Sequence, residues 1–173
     1  MTTSPRKTPS PDSPLGRLLA APARPGTLMW IGVRPVRKAA LVSLSSAELI
    51  AEHGIRGDHY ETRHNGARQV TLIASEDIAA IASFIGRETI GPELLRRNLV
   101  TRGINLAALK GRQLRVGDAV LDISGDCAPC SRMEDTLGIG GYNAVRGRGG
   151  VTARILTGGI VRIGDTLTVV DVT

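Results

Sequence analysis

Apolar runs of four to six residues recur through the second half of the chain, and glycine-led turns cut between them. Gly117-Asp118 and Gly164-Asp165 each stand directly before such a run, and Gly158-Gly159 separates two more. Runs this short, rich in Val, Ile and Leu and closed by turn residues, read as strands. They place strands at 113–116, 119–124, 151–156, 160–163 and 166–172, with Gly117-Asp118 as a hairpin turn. The two aspartates are turn formers, since a short carboxylate accepts hydrogen bonds from the next amides. Upstream, 28–36, 41–44, 69–73 and 99–101 give further strands, and 46–52 reads as a short turn of helix.

Two helices interrupt this pattern. Ile78, Ile81, Ala82 and Ile85 fall at i, i+3, i+4 and i+7, one apolar stripe. Ser75 is placed to cap that helix, Glu76 and Asp77 suit its positive end, and Gly86 stops it. A second short helix opens at Pro92 and runs to Arg97. Many strands with two inserted helices predict a mainly β, barrel-like domain. A doubly wound sheet would need regular alternation, and the glycines at 138–141 follow no strand-to-helix signal, so no dinucleotide fingerprint is read there.

A chain of 173 residues accommodates one domain plus a tail. Residues 1–26 hold six of the nine prolines and are expected to be disordered, with the domain at 27–173. Aromatic residues make up 2% of the chain, too few for base-stacking surfaces, and no recognition motif accompanies the net charge of +6, so nucleic acid is not an expected partner. The charge suits an anionic ligand. No apolar run reaches the roughly 20 residues that span a bilayer, and the basic N-terminus lacks the apolar core of a signal peptide. The expected location is cytoplasmic, where the two cysteines stay reduced.

Those cysteines, Cys127 and Cys130, lie in Gly125-Asp126-Cys127-Ala128-Pro129-Cys130-Ser131-Arg132, after a strand and ahead of six glycines between Gly138 and Gly150. Four readings compete. Cys-x-x-Cys is half a tetrahedral zinc site, with His53, His59 and His64 far upstream as partners. It is also the dithiol redox spacing, without the βαβ context that chemistry expects. It fits two small buried hydrophobes. Or it presents one functional thiolate at Cys130, carrying sulfur or ligating a soft metal, with Cys127 accessory.

Several segments together resemble the MOSC family, the molybdenum cofactor sulfurase C-terminal domain. They are Gly57-Asp58-His59, Arg68-Gln69-Val70-Thr71-Leu72-Ile73, Arg96-Arg97-Asn98-Leu99, Gly103-Ile104-Asn105-Leu106, Leu114-Arg115-Val116-Gly117-Asp118, Cys127-x-Pro129-Cys130 and Gly158-Gly159-x-x-Arg162-x-Gly164-Asp165. The resemblance implies a β-barrel-like fold and a cysteine, here Cys130, that ligates molybdenum or accepts persulfide sulfur. It implies Asp58 and His59 as catalytic proton handlers and Arg97, Asn98 and Arg132 as contacts to the molybdenum cofactor. Family members of this kind reduce N-hydroxylated compounds, or receive sulfur from a pyridoxal-phosphate-dependent desulfurase. The chain is expected to be a stand-alone member, with pyridoxal phosphate only on a partner enzyme, because no lysine sits in a Schiff-base context. Expected partners are that desulfurase or an electron-donor reductase, and a small-molecule substrate.

Overall fold

The computed structural model describes residues 9–60 and 66–170. Eleven strands are formed among the described residues: β1 (Gly26–Val33), β2 (Val42–Leu44), β3 (Ser46–Ile50), β4 (Gly54–Ile55), β5 (Val70–Ala74), β6 (Leu99–Arg102), β7 (Gln113–Val116), β8 (Ala119–Asp126), β9 (Val151–Thr157), β10 (Gly159–Arg162) and β11 (Thr166–Val170). Seven of them close on themselves in the order β1-β11-β7-β8-β9-β5-β6, with β6 returning to β1; β2 lies outside on β1. Closure is made by Gly26 opposite Leu167 and Thr27 opposite Thr166. A closed sheet leaves no unpaired edge on those strands. The expected barrel-like β fold is the observed one.

Side-chain alternation builds two cores from one sheet. Val70, Leu72 and Ala74 of β5 and Leu99 of β6 point into the barrel, joined by Leu114, Leu121, Ala153, Ile155 and Leu167. Ile73 and Val100, one residue out of phase, face outward. They are covered by α2 (Ser75–Phe84), α3 (Arg132–Leu137) and α4 (Gly141–Val145) through Ile78, Ile81, Met133, Leu137 and Val145. The period of two decides which residue enters which core. β5 and β6 are parallel, Leu72 opposite Leu99, and α2 is the crossover that joins them.

Four local expectations are corrected. Residues 46–50 form a strand, not a helical turn: Ala47 and Leu49 are buried in alternation, and β3 pairs with β10. α2 starts at Ser75 itself, with Ala74 at the cap position and no side-chain cap bond; the Ser75 hydroxyl donates to Glu76 instead. The helix from Pro92 is a 3-10 turn, Pro92–Leu95, ended by Arg96 in the left-handed region, so Arg96 and Arg97 lie beyond it. Part of the proline-rich segment carries regular structure: Pro14–Leu19 is a helix, α1, with Ser13 accepting from Gly16 N–H and Pro14 at the first position. No helix among the described residues is long and apolar enough to cross a membrane.

Candidate functional site

β8 delivers the cysteines. It pairs with β9 until Ile123, where the register slips: Ile123 faces Ala153 but Gly125 faces Thr152, leaving Ser124 as a bulge. Ser124 Oγ fixes that bulge on the Thr152 carbonyl at 3.1 Å and on the Ala67 carbonyl. Bulges re-aim the strand that follows; β8 stays paired as far as Asp126, opposite Val151, and Cys127 to Cys130 lie beyond it. The loop is held by its backbone. Cys127 N–H donates to Gly150 O at 2.9 Å, and Met133 N–H to Cys130 O at 2.9 Å. Arg97, 5% exposed, reaches under it: Nε donates to Gly149 O at 2.6 Å, Nη1 to Leu95 O at 2.9 Å and Nη2 to Cys127 O at 3.3 Å.

Cys127 and Cys130 open on a cavity of about 360 Å³. Its far wall is set by Asn98. Asn98 Nδ2 donates to Gly32 O and to Asp58 Oδ2, both at 3.2 Å, and its Oδ1 accepts from Thr71 Oγ1 at 2.8 Å and Thr71 N–H at 3.2 Å. One amide thereby ties β1, β5 and the 56–60 loop together. Buried Asp58 completes the frame, accepting from Arg34 N–H at 2.9 Å and Tyr60 N–H at 2.8 Å. Arg34, Arg68 and Arg96 also line the cavity.

The electrostatics are those of an anion site. Arg34 Nη1 and Gln69 Nε2 are buried donors without a hydrogen-bond partner, and both residues line this cavity. Unpaired buried donors are costly, but Thr101 Oγ1 and Arg154 Nε are unpaired as well, so the anion character of this cavity rests on the three arginines in its lining. Arg96 has φ 59, a left-handed backbone in a non-glycine residue, and such strain gathers at functional positions. Burial lowers the affinity of its guanidinium for a proton, with the Arg34 and Arg132 cations adding to the effect and Cys130 opposing it. Burial also pushes the Cys127 thiol above its ordinary range, against the pull of Arg97 and Arg68. Cys130 is exposed, and both cysteines are free.

Of the residues expected from sequence, Cys130, Asp58 and Asn98 meet at this cavity. His59 stands behind the wall, its Nδ1 accepting from Arg34 Nε at 3.3 Å and lying 3.4 Å from Asp58. Arg97 sits beneath the cysteine loop with its guanidinium bound to carbonyls, and Arg132 lines a neighbouring cavity. Sequence reasoning missed Arg34, Arg68, Arg96, Gln69 and Thr71 as cavity residues. Arg68, Gln69 and Thr71 belong to a quoted segment, so a signal existed for them; Arg34 follows β1 with none.

The amides of the glycine-rich run after the cysteines are partly engaged within the protein. Glu134 accepts from Gly140 N–H at 2.7 Å and Tyr142 N–H at 2.9 Å, so those amides already hold a carboxylate. Gly149 and Gly150 serve close packing: a Cβ there would lie 2.1 Å from Cys127 O and 1.9 Å from Leu72 O. No three His, Cys, Asp or Glu side chains converge on a metal-sized point among the described residues; His64, one zinc partner considered, lies outside them. A soft metal carried within an anionic organic group fits this donor set better, since one exposed thiol supplies the metal ligand and the arginines of the lining the anion contacts.

Solved structures share the fold. The YUAD protein from Bacillus subtilis matches with a TM-score of 0.76 at 18% identity, over 87% of this chain and 98% of its own. YiiM from Escherichia coli gives 0.65 at 18%, over 85% and 71%, and YiiM from Geobacillus stearothermophilus 0.66 at 18%, over 84% and 75%. No curated protein matches. The MOSC domain model matches residues 56–168, a span that holds both cysteines, Asp58, Asn98 and most of the barrel. The chain belongs to the MOSC domain family, which is linked to molybdenum cofactor binding and sulfur chemistry.

Proposed function

We propose that the protein binds molybdenum cofactor through Cys130 and reduces N-hydroxylated small molecules. The observation that carries this reading is an exposed thiol and three arginines, Arg34, Arg68 and Arg96, around one cavity. When bound, the cofactor supplies two-electron redox chemistry at a metal with a soft sulfur ligand. The protein's part is to hold and shield. Cys130 would provide the sulfur, and Arg34, Arg68 and Arg96 in the cavity lining would face the anionic portions. Cys127, raised by burial, keeps its proton and stands beside the ligand as an S–H donor rather than a second thiolate. Asp58, with three hydrogen bonds accepted, acts by positioning Asn98 and Arg34, and His59 by orienting the Arg34 guanidinium. A cytoplasmic location, with an electron-donor reductase as partner, suits two free thiols.

A second reading rests on the exposure of Cys130: a carrier that takes persulfide sulfur from a pyridoxal-phosphate-dependent desulfurase and passes it on without turnover. Pyridoxal phosphate belongs to the partner in this reading. Lys110 is paired with Asp126 at 3.0 Å, and Lys7 lies outside the described residues.

Protein from a cofactor-competent host should contain molybdenum, lost in Cys130→Ser. Cyanide-releasable sulfur on Cys130 without metal selects the carrier. Finding neither, in wild type and variant alike, removes both readings.

A further inference from the structure

Beside the thiol cavity lies a second, of about 450 Å³, sharing Arg34 and Arg96 with it. Lys38 and Arg132 line this second cavity too, against two carboxylates, Glu93 and Asp135. Four cations thus face two anions. Among the described residues, none of the four cations lies within ion-pair distance of a carboxylate. Elsewhere on the molecule basic side chains do find partners, Lys110 with Asp126 and Arg148 with Asp77, each at 3.0 Å. Arg34, whose buried Nη1 has no hydrogen-bond partner, lines both cavities. Lys38, like Arg96, is held with positive φ, at 72°, a conformation that non-glycine residues adopt at a cost.

Arg34, Arg96 and Arg132 are half-buried and Lys38 is exposed; like charges gathered in this way repel, and the arrangement is stabilised when an anion enters. We infer that this second cavity receives the carboxylate or phosphate of an anionic substrate whose reacting end lies at Cys130. The inference rests on the reading of Cys130 as the reaction centre and adds the substrate class to it. Guanidinium forks at Arg34, Arg96 and Arg132 suit the planar or tetrahedral oxygens of such a group. Lys38, which does not line the thiol cavity, adds charge without touching the reacting end.

The test separates this idea from the one it builds on. Metal-free wild-type protein is titrated with inorganic phosphate and with pyrophosphate by calorimetry at low ionic strength. Both should bind, at least tenfold more weakly in Lys38→Glu and in Arg132→Ala, and unchanged in Cys130→Ser. No binding to wild type, or equal binding to both charge variants, overturns the inference. Loaded enzyme is then given N-phenylhydroxylamine and its 4-carboxylate. Wild type should prefer the carboxylate through KM; Lys38→Glu should lose that preference at least tenfold with kcat unchanged, and Lys38→Arg should restore it. A fall in bound molybdenum in Lys38→Glu also overturns it, because the cavity would then be holding the cofactor's own phosphate. Should wild type carry no metal at all, the reaction-centre reading fails on its own while the calorimetry still reports on the cavity.

Discussion

The brace beneath the cysteine loop and the wall across from it both use arginine, and they differ in how far its donors are engaged. Beneath the loop, the donors of Arg97 are engaged by carbonyls of Gly149, Leu95 and Cys127. Across the cavity, Arg34 keeps a buried N–H unengaged and Arg96 makes no ion pair among the described residues. Arg96 and Arg97 are adjacent in sequence, yet one stabilises the fold and the other faces the ligand space. A saturated polar group contributes to folding; an unsaturated one costs folding free energy and waits for a partner.

That contrast can be broken most sharply at Arg97. Arg97→Leu leaves at least three carbonyls without their donor, and stability should fall by about 3–5 kcal/mol. Melting would drop on the order of 10 °C, with Cys130 losing its defined position. A loss under about 1 kcal/mol would show the brace to be dispensable. Next in size is Gly149→Ala, whose Cβ meets Cys127 O at 2.1 Å; overpacking of this kind costs about 2–3 kcal/mol, read as a lower denaturation midpoint. Gly138→Ala enters open space at φ 91 and should cost only about 1 kcal/mol.

On the opposite wall the sign changes. Arg96→Gly relieves a left-handed residue, worth about 1 kcal/mol, against a similar entropic cost of glycine, about 0.5–1 kcal/mol. Stability should stay near wild type while metal loading falls. A large loss of stability would place Arg96 in the frame instead. The smallest effect is in pH. Burial raises the Cys127 thiol, so the folded state holds that proton more tightly than the unfolded chain does. The resulting stability is complete below the ordinary thiol range and is lost as pH rises through the folded value. Alkaline denaturation curves should therefore flatten in Cys127→Ser, and alkylation at mildly alkaline pH should label Cys130 before Cys127.

How far the sequence discloses this division follows from the distance over which each feature is determined. The barrel strands β5, β7, β8, β9 and β11 were legible because their apolar periodicity and flanking turns are local. β3 was not: Ser-Ala-Glu-Leu-Ile contains good helix formers, and its pairing with β10 is more than a hundred residues away in sequence. α4 was hidden by the glycines that begin it, with Gly141 buried against Met133 O. The thiol and its Asp58 and Asn98 neighbours were legible as motif residues. Which of two adjacent arginines faces the cavity was not, because the choice is made by a left-handed turn at Arg96 and by carbonyls from the 127 and 149 segments.

The seam between Gly26-Thr27 and Thr166-Leu167 sets when this molecule can begin to work. Arg34 follows β1 on one side of that seam, and on the other β11 pairs with β7, which pairs with the cysteine-bearing β8. During synthesis on the ribosome the early strand must wait for the last one to emerge before the circle can zip shut, and such distant pairings form slowly. A shortened chain lacking the final strand would carry every residue of the cavity and yet no cavity, so loading with any cofactor is an event of the finished chain.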